Sequence, residues 1–290
     1  MSTPQHMKPR YMIIGERKCG TSSLYRYLVD HPQVLPAKWK EPQFFSRSSE
    51  EIQNGFEQDY LPYFPLEQAD GDIHFEWPEL DQAGILYHES VRVPRLSGRK
   101  YITGEASANA LHEADPAWVQ HYLPDIKLIV VLRDPAVRAY SHHRMFHRFQ
   151  KEGRDLWKRV GDFRKDLAEE YEAFQQGNRD EFYSPGLYLR NLKRWSQHFS
   201  RAQMLILFSD DLDTCPQLCL DRVCDHIGIE RHTYGSELDV AYNRAPLQTM
   251  PETDYHWLSA LYRTHDEALA EWLGEALPWR ASTLNVANHG

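Results

Sequence analysis

The 290-residue chain predicts an α/β fold, a doubly wound and mainly parallel sheet with helices on both faces. Three observations carry that prediction. The apolar runs "YMIIG" (11–15), "YITGE" (101–105), "KLIVVLR" (127–133) and "MLILFS" (204–209) do not alternate with polar residues, as strands covered on both faces would not. Segments with helical apolar spacing separate them, which is the order of an α/β domain. Turns rich in chemistry, Gly15–Ser23 and Arg133–Ser141, begin at strand ends, where ligands gather in such sheets.

Taken in order, the first strand runs into a helix whose Leu24, Tyr27 and Leu28 share a face. Residues 46–98 are less regular, with "YLPYFP" and "HFEWPELDQAG" inside them, and read either as a lid facing substrate or as aromatic packing. A second segment, 150–185, is read as a lid or substrate-facing segment. After the strand at 127–133, Pro135 starts a helix that puts Ser141 two turns along. Tyr188, Leu192, Trp195 and Phe199 mark one later helix, and Tyr255, Leu258, Tyr262, Leu269 and Trp272 another. No repeat or low-complexity linker divides the chain, so residues 1–290 are expected to form one domain.

Composition excludes several classes. Apolar residues make up 41% and charged ones 26%, an ordinary globular balance, and no run approaches the ~20 apolar residues of a membrane helix. The N-terminus "MSTPQHMKPR" has no apolar stretch fit for a secretory signal, so a cytoplasmic location is expected. A net charge of −9 argues against nucleic acid as the main partner. Cys215, Cys219 and Cys224 fit no common zinc spacing. With Leu218, Leu220, Val223 and Ile227 they read as buried packers in a reducing compartment, and no metal is expected.

The turn after the first strand, "GERKCGTSS", has the makings of an anion cradle. Gly15 and Gly20 permit a tight turn, a helix N-terminus follows, Lys18 brings a charge, and Thr21, Ser22 and Ser23 bring hydroxyls. An ATP-binding loop would place lysine after the second glycine, and here it lies before it. In "LIVVLRDPAVRAYSHHRMFHR" a strand ends in Arg133, which with Ser141 offers a second anion site. Arg133 paired with Asp134 is the competing structural reading.

These two segments, with "KEPQFF", resemble the sulfotransferases that use 3′-phosphoadenosine-5′-phosphosulfate (PAPS), most closely the heparan and chondroitin branch and its bacterial relatives. "GEASANAL", "GLYLRNLKRWSQHFSRAQMLILFSDDL" and "MPETDYHWLSALYRTHDEALAEWLG" extend the likeness from Arg10 to Trp279. The resemblance implies a P-loop-like fold and transfer of a sulfuryl group to an acceptor hydroxyl, with 3′,5′-ADP as product. It assigns Arg17, Lys18, Cys19, Gly20, Thr21, Ser22 and Ser23 to the 5′ end of the nucleotide, and Arg133 and Ser141 to its 3′-phosphate. Tyr188 and Arg244 become further nucleotide contacts, although Tyr188 also heads an apolar helix face. Lys18 is expected to stabilise the leaving group, Glu41 to act as general base and Lys40 to help position the sulfonate.

The chain departs from that branch at Ala106, where relatives place a lysine, so either that cation is missing here or Lys38, Lys40 or Arg244 supplies it. Glu105 is a second candidate base, and His74, His142, His143 and His147 keep a histidine base open. The implied acceptor is a small molecule or saccharide with a hydroxyl, with no nucleic acid or membrane partner. A P-loop kinase and a non-catalytic nucleotide-binding module are the rival readings. A kinase requires a strand-end carboxylate for magnesium, but no apolar run leads directly into an aspartate, since in "VVLRD" the arginine comes first.

Overall fold

The computed structural model describes residues 5–67, 73–80, 86–93, 100–154, 158–178, 181–235, 238 and 250–280, with residues 73–80 and 86–93 described by backbone alone. The strands are β1 (Tyr11–Gly15), β2 (Val34–Leu35), β3 (Ile73–Leu80), β4 (Leu86–Val93), β5 (Ile102–Ala106), β6 (Lys127–Leu132) and β7 (Met204–Phe208). Five of them form one parallel sheet in the order β2-β5-β1-β6-β7. β3 and β4 pair separately as an antiparallel hairpin within the irregular 46–98 segment.

The sheet is parallel because every connection carries a helix or an extended crossover. α1 (Thr21–Val29) follows β1. α2 (Ser49–Gly55), α3 (Ala110–Glu113) and α4 (Pro116–Tyr122) lie before β6, and α5 (Pro135–Lys151), α6 (Phe163–Gln175) and α7 (Tyr188–Ser196) before β7. α8 (Ser209–Thr214), α9 (Pro216–Ile227) and α10 (Glu252–Leu273) complete the chain order. Among the described residues, no helix is long and apolar enough to cross a membrane.

Strand pleating divides the apolar runs between two cores. Met12, Ile14, Leu128, Val130, Leu132 and Ile206 meet Leu192 and Trp195 of α7 and Leu269 of α10 on one face. Tyr11, Ile13, Ile129, Val131 and Leu207 meet Leu24 and Leu28 of α1 and Leu220 and Val223 of α9 on the other. Burial on both faces is why the strands read as unbroken apolar runs.

The "YLPYFP" stretch contributes Tyr60, Leu61 and Phe64 to the first core, beside Phe44, Phe45 and Phe56. The rings of Phe44 and Tyr60 stack with centroids 4.9 Å apart. Aromatic packing thus explains the aromatic residues of this part of the 46–98 segment. Near α9, Cys219 and Cys224 are buried as expected, whereas Cys215, which precedes the helix, and Leu218 in its first turn are exposed.

Candidate anion-binding and transfer site

β1 and β6 end side by side at the sheet centre, and β5 flanks β1. The loop after β1 opens on Gly15 and closes on Gly20, whose φ of 97° is left-handed and allows the chain to turn straight into α1. Gly20 makes no side-chain cap, and the first helical bond runs from the Leu24 amide to the Gly20 carbonyl. The earlier amides of this turn therefore lack helical acceptors and point out of the helix end.

Not all of the loop is open. The Cys19 amide donates to the Glu16 carbonyl at 3.1 Å, and the Arg17 amide donates to the Glu16 carboxylate at 2.7 Å. The Cys19 thiol is buried, pushed up to about 12 by desolvation, and lies 3.8 Å from the Tyr188 hydroxyl. Cys19 therefore faces the core and only its backbone borders the cradle.

Lys18 adopts φ 72°, rare for a residue with a side chain. Its ammonium has no acid partner among the described residues. Burial first, then the charges of Arg148, Arg133 and Arg17, pull its pKa from 10.5 down to about 8. A buried cation set among cations, without an acid partner, would be stabilised by an anion. Arg133 holds the turn from the neighbouring strand end, donating to the Lys18 carbonyl at 3.2 Å. It does not pair with Asp134, which instead caps α5 by accepting from the Ala136 and Val137 amides.

Ser22 and Ser141 are half-buried, and their hydroxyls make no hydrogen bond among the described residues. Arg148 lies seven residues beyond Ser141 on α5, so both occupy one face of that helix. The sequence reading did not single out Arg148, though this spacing alone would have found it. Tyr188 is fully buried and donates to the Arg133 carbonyl at 2.8 Å, which ties α7 to the strand end. Arg244 lies outside the described residues.

The "KEP" segment is irregular backbone rather than a helix end, held by a bond from the Ala106 amide to the Lys40 carbonyl at the end of β5. The Lys40 ammonium contacts the Glu41 carboxylate directly, and both remain partly open to solvent. Burial pushes the Glu41 carboxyl up, but Lys40, Arg17 and Gln43 together hold it below the ordinary glutamate range.

Glu105 differs. It is fully buried, accepts from the Tyr60 hydroxyl at 2.7 Å and the Ser107 hydroxyl at 2.5 Å, and is raised by burial to about 7. Both of its oxygens are committed, so it has no face for an acceptor. Ala106 is buried in the core and Lys38 is exposed.

Two of the helix histidines, His142 and His143, lie inside, because α5 packs against the segment around Phe182. His142 and His143 are buried there, and His143 bonds Asp166 at 2.8 Å. Burial lowers His142 well below its ordinary range. His147 is only partly buried, and the His74 side chain lies outside the described residues.

A cavity of about 580 Å³ lies beside the loop, lined among others by Ser46, His112, Glu113, Phe174, Glu181 and Arg190. Glu181 accepts from Arg17 at 3.2 Å, and His112 reaches Glu16 at 2.8 Å, so both walls connect to the anion loop. Sequence reasoning missed these wall residues, since Arg17 and Glu181 are 164 positions apart. Among the described residues, no group of three or more His, Cys, Asp or Glu side chains is spaced to hold a metal ion.

Residues 8–261 match the family model described as the sulfotransferase domain. The chain belongs to that family. This agrees with the resemblance read from the loop, the "KEP" turn and the arginine segment, and with the expected enzyme class and α/β fold. Human bifunctional heparan sulfate N-deacetylase/N-sulfotransferase 3 is 26% identical over 93% of this chain and 27% of its own length. Mouse carbohydrate sulfotransferase 15 is 29% identical over 70% of this chain and 40% of its own length. The chain thus spans from about a quarter to two fifths of these curated relatives. The sulfotransferase crystal structure from Alicyclobacillus acidocaldarius superposes with a TM-score of 0.65 at 25% identity, covering 94% of this chain and 99% of that one.

Proposed function

We propose that this single domain transfers a sulfuryl group from PAPS to a hydroxyl of a compact, polar acceptor. The observation that carries the reading is Lys18, a buried ammonium without an acid partner, flanked by arginines at the open end of α1. The residues fit the donor, since Lys18 and the α1 amides form one anion site and Arg133 with Ser141 a second at the next strand end. PAPS brings the sulfuryl group on a phosphate that leaves as 3′,5′-ADP.

Lys18, with the amides and hydroxyls of Gly20–Ser23, holds the 5′ end and offsets negative charge as it grows on the leaving phosphate. Arg133 and Ser141 hold the 3′-phosphate, with Arg148 adding positive potential. Glu41 takes the acceptor's proton, and Lys40 keeps that carboxylate charged at neutral pH. Positioning and aimed charge supply most of the rate, with the base adding roughly 10²–10⁴-fold. The cavity beside Arg17 takes the acceptor. Its size suits a small molecule or one or two sugar units, and its hydroxyl, amide and charged walls favour a hydroxylated acceptor over an apolar one.

Calorimetry with 3′,5′-ADP and AMP tests the two-site reading. The bisphosphate should bind roughly 100-fold tighter, the worth of one buried charge-assisted phosphate contact. Equal affinities would refute it. Radiolabelled sulfuryl transfer to a panel of saccharides and small alcohols then identifies the acceptor class.

A further inference from the structure

Glu16 is the one acid of the anion loop, and it is fully buried. A carboxylate there opposes the anion the loop is shaped to hold, so its surroundings decide whether the loop works. One oxygen accepts the Arg17 amide at 2.7 Å, and the other accepts from His112 Nδ1 at 2.8 Å. His112 belongs to α3, after β5, and its Nε2 lies 3.4 Å from the Glu113 carboxylate in the cavity wall. The ring therefore bridges two acids, one in the loop and one in the cavity. We propose that His112 is a positioning residue for the donor loop, its imidazolium neutralising Glu16 so that the loop accepts a phosphosulfate.

The charged surroundings agree with this role. Although burial opposes its charge, Glu16 and Glu113 raise His112 from 6.5 to about 9, so the ring is cationic at neutral pH. His142 of α5, lowered well below its ordinary range, adds no competing charge. Arg138, also of α5, is fully buried and near enough for Glu16 to favour its charge, but gives its hydrogen bond to the Phe182 carbonyl. Arg190 and Glu181 stand farther round the same cavity. Of these groups, His112 is the cation hydrogen-bonded to Glu16. The pair also links the donor loop to the cavity wall.

The inference rests on the loop being the donor's phosphate site, and a charge cycle separates the two claims. Affinity for 3′,5′-ADP is measured by calorimetry at pH 7 on the full chain, for wild type, H112Q, E16Q and E16Q/H112Q, each checked by thermal unfolding. H112Q should bind roughly tenfold more weakly, because a buried carboxylate is left facing the 5′-phosphate. The double variant should recover to within about threefold of wild type, because the loop itself then carries no carboxylate to be neutralised. A double variant as weak as H112Q, or an H112Q that binds like wild type, overturns the proposal. Wild type failing to bind 3′,5′-ADP overturns the donor-site reading and this inference with it. If H112Q does not fold, wild type and E16Q are compared from about pH 7 to 10. Lys18 titrates in both, while in E16Q His112 loses its strongest acid partner and so sheds less of its charge across this range. A steeper loss of affinity in wild type supports the pair, and equal slopes overturn it.

Discussion

Lys18 shows how a single side chain exposes its own purpose. In the ligand-free protein its pKa is about 8, because burial and three arginines oppose the charge. A bound dianion reverses that balance, so binding must drive proton uptake near the pKa. Calorimetry of 3′,5′-ADP at pH 8 in buffers of different ionisation enthalpy should show uptake of a fraction of a proton, and K18Q should remove it. K18A should lower the transfer rate by about 10²–10³, the usual loss of one aimed donor. The two glutamates separate by the same logic. E41Q should cost roughly 10²–10⁴ in rate, while E105Q keeps most of it.

Glu105 instead has a stability signature. Its folded pKa of about 7 exceeds the unfolded 4.5, so the native state keeps a proton that the unfolded chain has released. Wild-type stability therefore falls as pH rises from about 4.5 to 7 on this group's account. E105Q should gain melting temperature over wild type above pH 7, with the gain vanishing below about pH 4.5. Thermal scans at the two ends of that range check the sign.

At the scale of elements, the site is a meeting of chain ends rather than a fold of its own. The β1 loop supplies charge, α1 supplies amides, the end of β6 supplies Arg133, and the end of β5 anchors the "KEP" turn. The Gly20 turn is the joint between strand and helix. G20A adds a side chain at φ 97° and sets its Cβ 3.2 Å from Leu212. It should cost about 1–2 kcal/mol in denaturant unfolding. The same variant should weaken 3′,5′-ADP binding roughly tenfold by moving the α1 amides.

For the whole molecule, charge is handled by the protein's own side chains. Leaving-group charge meets Lys18 and the neighbouring arginines in the proposed reaction, so turnover should persist unchanged in excess EDTA. Loss of turnover would instead favour the kinase reading, whose phosphoryl chemistry depends on magnesium. His112 gives the protein an alkaline limit. Its pKa is raised from 6.5 to about 9, so its stabilisation is complete below pH 6.5 and disappears as pH rises through about 9. Wild type should lose melting temperature across that window relative to E16Q/H112Q, and parallel curves would contradict it.

The sequence by itself determined the parallel sheet and where the lysine-bearing loop and Arg133 stand, at neighbouring strand ends. The reason is that each is written locally: "YMIIG" and "KLIVVLR" lack alternation because both strand faces are buried, and "GERKCGTSS" carries its lysine and glycines within nine residues. Only the tertiary structure decided which charges meet. It gave Glu105 to Tyr60 and Ser107, brought His112 to Glu16 across 96 positions, and turned Tyr188 inward onto Arg133. Those outcomes depend on desolvation and on pairs formed between distant elements. Periodicity records which face of an element is buried, but not which partner waits there.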